Sequence, residues 1–158
     1  MNNIKNTLNI RAYRRQPTEK ERKTYGPERH LKLQEEIIID YLEKQLRFKV
    51  GKNEQGKFRV LKPDRIKLNW YTDRGEGSNR YFENRLKGGF RLLDALETGD
   101  LVIASHFDLM FGNTPVYSWN FIFETIKNNY QGKLILCDMG GEVTGSDERS
   151  EIFHNILT

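Results

Sequence analysis

The run Gly99-Asp100-Leu101-Val102-Ile103-Ala104-Ser105-His106-Phe107-Asp108 limits the fold more than any other stretch. A Gly-Asp turn feeds an apolar strand, Leu101 to Ser105, and a carboxylate stands just beyond its end. Similar units recur along the chain. Leu8 to Tyr13 alternates apolar and polar residues as a strand does. From about Glu28 to Arg47, the residues Leu31, Ile37, Ile38, Tyr41, Leu42 and Leu46 fall near helical spacing. Residues 48–65 hold Gly51, Gly56 and Pro63 among many charges and read as an inserted hairpin or loop. Arg65 to Tyr71 reads as a strand ending at Asp73, and residues 74–86 as a long polar loop. Phe90 to Glu97 follows as a short helix. Thr114-Pro115 opens another, with Thr as N-cap and Pro at the first helical position. Trp119, Ile122, Phe123, Ile126 and Tyr130 give that helix one apolar face, and Gly132 ends it. Lys133 to Cys137 is a further strand, and Ser150 to Leu157 starts a final helix.

Strands and helices in this order predict one α/β domain over residues 1–158, a three-layer sandwich with a mostly parallel central sheet. Ligands of such sheets bind beyond the carboxyl ends of the strands. Asp73, Asp108 and Asp138 all follow strand ends, so the topology allows them to converge on one edge.

With 37% apolar and 30% charged residues, the chain reads as a rather polar globular protein. No stretch approaches the ~18 apolar residues of a membrane span. The first residues lack the apolar core of a signal peptide. Cys137 is the only cysteine, which excludes an internal disulfide and fits a reducing, cytoplasmic setting. In Leu134-Ile135-Leu136-Cys137 it reads as a buried strand residue, not a nucleophile. The net charge of +4 sits almost wholly in residues 1–30, which carry eight Lys and Arg against three Glu. A localised basic segment fits either a nucleic-acid contact or a solvated loop.

Five ordered motifs give a resemblance to the catalytic domain of resolvase/invertase-type serine recombinases. That family opens with Tyr, any residue, Arg, Val, Ser, Thr; here Tyr13-Arg14-Arg15-Gln16-Pro17-Thr18 matches at Tyr13, Arg15 and Thr18. The family's Ser-Leu-x-x-Gln resembles His30-Leu31-Lys32-Leu33-Gln34. Tyr71-Thr72-Asp73-Arg74-Gly75-Glu76-Gly77-Ser78 is similar to its Tyr-x-Asp-x-Gly-x-Ser-Gly, with the last two residues transposed. Lys87-Gly88-Gly89-Phe90-Arg91-Leu92-Leu93 resembles Arg-Pro-Gly-Phe-x-x-Leu-Leu, with Lys87 at the Arg position unless Arg85 reaches in. Asp138-Met139-Gly140-Gly141-Glu142-Val143-Thr144-Gly145 is similar to Asp-Leu-Gly-Gly-Asp-Val-Thr-Gly. The match spans roughly residues 8–157. It implies a resolvase-like sheet, an origin in a phage or mobile element, and no metal or other cofactor.

The departures fall on the chemistry. The family's Ser attacks a DNA phosphate and forms a phosphoserine link, and arginines offset charge on the phosphorane. The nucleophile position holds Pro17. After Asp108, the two arginine positions hold Leu109 and Gly112. Arg15, Gln34 and Asp108 are retained. Family members continue into a long dimerising helix and a DNA-reading domain, whereas this sequence stops as that helix begins. The expectation is a recombinase-like domain without strand transfer.

Two uses are then open. One is binding, either to another protein or to DNA backbone without sequence preference. For DNA the candidate contacts are Arg11, Arg14, Arg15, Arg22, Lys23, Arg85 and Lys87. The other is altered DNA-processing chemistry, through Thr18, Ser78 or Ser105 as nucleophile, or a metal-dependent nuclease built on Asp73, Asp108 and Asp138. The three histidines, His30, His106 and His154, show no ligand spacing. Trp70 and Trp119 read as core residues.

Overall fold

The computed structural model describes residues 7–16, 26–75 and 79–157. Its centre is a five-stranded sheet formed by β1 (Leu8–Arg15), β4 (Ile66–Asp73), β5 (Leu101–Ala104), β6 (Lys133–Leu136) and β7 (Gly141–Glu142). The spatial order is β4-β1-β5-β6-β7. The first four run parallel, and β7 pairs antiparallel with β6. Strand order reverses between β1 and β5, which makes that gap the topological switch point.

Side chains alternate across each strand, so the sheet has two apolar faces. Ile10, Ala12, Leu101, Ile103 and Ile135 meet Ile38, Ile39 and Leu42 of helix α1 (Pro27–Lys44). Val60 joins this layer from a hairpin of β2 (Lys49–Lys52) and β3 (Phe58–Lys62). Asn53 Oδ1 shapes its turn by accepting from the backbone N–H groups of Gln55 and Lys57, each at 2.9 Å. Residues 48–65 are thus a hairpin packed on α1 and β4.

The opposite face uses Tyr13, Val102, Ala104, Leu134 and Leu136. Against it pack α2 (Gly89–Ala95), α3 (Phe107–Met110), α4 (Val116–Glu124) and α5 (Glu148–Leu157). Trp119 belongs to this core, whereas Trp70 packs on the first face. Helices on both sides of a mostly parallel sheet give the three layers expected from the sequence.

Local details differ from expectation. Pro115, not Thr114, is the residue before α4, and the Thr114 hydroxyl donates to the Phe111 carbonyl instead of capping the helix. The helix expected to run to Tyr130 widens into a π-helical turn over Thr125–Asn129. The Thr125 hydroxyl donates to the Phe121 carbonyl at 2.7 Å, a bond that competes with regular helical pairing. No helix among the described residues is long and apolar enough to cross a membrane.

Candidate functional site at the carboxyl edge of the sheet

A cleft of about 500 Å³ lies at the switch point. Arg15 from the end of β1, His106, Asp108 and Leu109 from the β5–α3 segment, and Asp138 after β6 form one side. The other side is a helical stripe on α1: His30, Leu33, Gln34 and Ile37, at i, i+3, i+4 and i+7. Gln34 locks the two sides together. Its Nε2 donates to the Arg15 carbonyl at 2.7 Å, and its Oε1 accepts from the Arg15 N–H at 2.9 Å.

Beneath the cleft, two arginines meet at one backbone oxygen. Arg15 Nε donates to the Leu109 carbonyl at 3.3 Å and Arg85 Nη1 donates to it at 2.5 Å. Both residues are buried. Arg85 Nη1 also donates to the Tyr13 hydroxyl at 2.9 Å, and Arg85 Nε donates to the Arg80 carbonyl at 3.1 Å. Arg85 Nη2 is buried without an acceptor among the described residues. Tyr13 in turn donates to Asp73 Oδ2 at 2.9 Å. Burial pushes the Tyr13 phenol far above its ordinary pKa, and Asp73 adds to this while Arg85 opposes it. Tyr13 therefore stays a neutral link between a cation and an anion.

Asp73 has a structural task. Its carboxylate accepts from Gly88 N–H and Gly89 N–H, each at 2.8 Å, at the start of α2. A Cβ at position 88 would stand 2.5 Å from Asp73 Oδ2, so only glycine admits this approach. Asp138 does a similar job nearby, accepting from Phe107 N–H at 2.9 Å where α3 begins.

The three aspartates therefore do not form one cluster. Asp108 and Asp138 line the cleft, while Asp73 is turned away under α2. Among the described residues no group of three or more His, Cys, Asp or Glu side chains is arranged to hold a metal ion. Ser105, a candidate nucleophile from the sequence, is fully buried, and its hydroxyl pairs with His106 Nδ1 at 2.8 Å. Cys137 is not the buried strand residue expected: β6 ends at Leu136, and Cys137 opens the short turn Cys137–Met139, half-buried. Burial still pushes its thiol up to about 12, with Asp138 adding to the shift, which fits an unreactive residue.

The structure also redirects most of the candidate DNA contacts. Arg11 is buried, donating to Asp100 at 2.8 Å, to Tyr71 at 2.8 Å and to Glu97 at 3.2 Å. Arg14 pairs with Glu35 at 2.5 Å, bonds Thr72, and lies over the Trp70 ring. Arg15 and Arg85 serve Leu109 from inside. Among the described candidates only Lys87 is exposed. Pro17, Thr18, Arg22, Lys23 and Ser78 lie outside the described residues.

At the two positions where the recombinase resemblance leads one to expect arginine, the Leu109 side chain joins the core and Gly112 adopts φ 55°. The sequence reading did not single out the α1 stripe as a cleft wall. Its signal was present, because His30, Leu33, Gln34 and Ile37 repeat at helical spacing beside the apolar core stripe. Comparison with family models, with curated proteins and with solved structures finds no match.

Proposed function

We propose that this chain is a serine-recombinase-like domain that does not carry out strand transfer and acts as a binding protein through its carboxyl-edge cleft. The observation that carries the reading is Leu109. Where the family pattern calls for an arginine, this chain has a core leucine whose carbonyl accepts from Arg15 and Arg85. The guanidiniums left over from the motif are thus tied into the fold. A phosphoryl transition state needs cations aimed at the oxygens where charge develops. Neither leucine nor glycine supplies one, and proline at position 17 has no hydroxyl to attack with.

The cleft suits a segment of a partner protein better than a phosphate backbone. Its exposed charges are the carboxylates Asp108 and Asp138, which repel phosphate. Leu33 and Ile37 add an apolar wall. A peptide with apolar and basic side chains meets both features.

Two measurements test this. Supercoiled plasmid incubated with the protein is expected to stay intact, with no covalent protein–DNA adduct by mass; nicks or an adduct overturn the inactive reading. Selection of a displayed random-peptide library is expected to enrich peptides that combine basic and apolar residues on the native protein. Enrichment is expected to disappear on Ile37→Asp. Equal enrichment on both proteins, or none on either, overturns the cleft as a peptide site.

A further inference from the structure

A second surface, away from the cleft, has a different chemistry. On α4, Tyr117 is 68% exposed, and Phe121, one turn further on, is 49% exposed. Val116 beside them is 41% exposed. Over nine residues this helix has no charge before its last residue, Glu124. The Tyr117 ring meets that of Tyr81 edge-on, at 6.1 Å between centroids, and the two hydroxyls pair at 2.5 Å. Tyr81 leads into the turn Phe82–Asn84, which contacts both α4 and α2. Just beyond it stand Leu86, 68% exposed, and Phe90, 46% exposed. The exposed cations Lys87 and Arg91 alternate with these two apolar residues.

The surface is braced from below. Phe82 is buried against Tyr13, with ring centroids 4.7 Å apart. Arg85 lies over the Phe82 ring at 5.7 Å and holds the Arg80 carbonyl. A Cβ on Gly89 would come within 2.2 Å of the Phe82 carbonyl, so α2 sits directly on the turn. Exposed rings on a braced support lose little freedom when something stacks on them.

We infer that this Tyr81–Tyr117–Phe121 surface, with Lys87 and Arg91 at its margin, binds single-stranded nucleic acid. The inference is independent of the cleft reading. Charge decides between partners. A second copy would bring the same cations face to face. An acidic peptide would meet the cations but leave the flat rings without a matching surface. A single strand offers phosphates to Lys87 and Arg91 and unpaired bases to the rings, the combination by which strands bind without sequence preference.

The test is fluorescence anisotropy of the full chain with a labelled oligothymidylate of about 16 nucleotides, beside a duplex of equal length. The single strand is expected to bind more tightly than the duplex, and more weakly as salt rises. Tyr117→Ala and Phe121→Ala are each expected to weaken it about tenfold. The double variant Lys87→Gln/Arg91→Gln is expected to lower the slope of log affinity against log salt by about 1.4, at roughly 0.7 per phosphate contact. Lys44→Ala, exposed on the far helix α1, is the control and is expected to bind as the native chain does. Circular dichroism melting checks that each variant is folded. Absence of binding at low salt, equal affinity for duplex and single strand, or insensitivity to Tyr117→Ala overturns the inference. So does concentration-dependent self-association in sedimentation that Tyr117→Ala abolishes, which would make the surface a contact between copies.

Discussion

Replacing Asp73 by alanine separates a structural carboxylate from a catalytic one. The native carboxylate accepts three buried hydrogen bonds, from Gly88 N–H and Gly89 N–H at 2.8 Å and from Tyr13 O–H at 2.9 Å. Hydrogen bonds to a charged group contribute roughly 1.5–3 kcal/mol each. The two amides belong to the first turn of α2, where no intrahelical partner exists for them. The tyrosine hydroxyl can turn and recover part of its loss, so its share is taken as small. The sum is a loss of about 3–6 kcal/mol. Against a total stability of roughly 5–15 kcal/mol, that is a large fraction. Equilibrium urea unfolding, followed by the fluorescence of Trp70 and Trp119, reads it directly. With a slope of about 2 kcal/mol per molar urea, the midpoint falls by roughly 2 M. Asp73→Asn keeps one acceptor but sets an amide N–H₂ against a donor, so it is expected to fall between native and alanine. A carboxylate strained for chemistry behaves in the opposite way, because removing it stabilises the fold. A midpoint unchanged or raised in Asp73→Ala would refute the reasoning.

Three other outcomes are expected. Leu109→Arg, which installs the residue that the proposed recombinase likeness calls for, is expected to destabilise by about 3 kcal/mol or more in urea unfolding, because it puts a charge into a core position; it gains no plasmid cleavage. Gln34→Ala is expected to cost about 1–3 kcal/mol in the same assay, since it strips both partners from the Arg15 backbone. Cys137 gives a pH signature: its folded pKa, about 12, lies above its ordinary value, so folding favours the protonated thiol. Stability from this group is full below the unfolded value, near 8.5, and falls as pH rises toward 12. A Cys137→Ala variant is expected to lose less stability than the native chain between those limits.

The layers of this fold were legible because strands and helices alternate with clear periods. Leu101 to Ala104 and Leu134 to Leu136 are apolar on both faces, and helices cover both. Strand β7 was not legible. Gly141 and Glu142 carry no alternation of their own, and the strand exists through its bonds to β6. The site was half legible. Strand-end positions placed Asp73, Asp108 and Asp138 at one edge; the structure brings Asp108 and Asp138 into the cleft, while Asp73 turns away under α2. The basic residues misled, because a sequence lists cations without their partners. Arg11 meets Asp100 across 89 residues, and Arg85 reaches Tyr13 across 72. Such pairings depend on topology, and local pattern carries no trace of them.

The two-way bond between Gln34 and the Arg15 backbone closes a loop across 19 residues of chain. Both rims of the clasp stand on rigid supports, a central strand and a long helix. The spacing of the two cleft walls is then set by one side chain, whose two bonds hold the strand end and the helix at a fixed separation. The width of the cleft is thus a property of Gln34 itself: a shorter side chain at that position leaves strand and helix with no direct hydrogen bond to hold them in register.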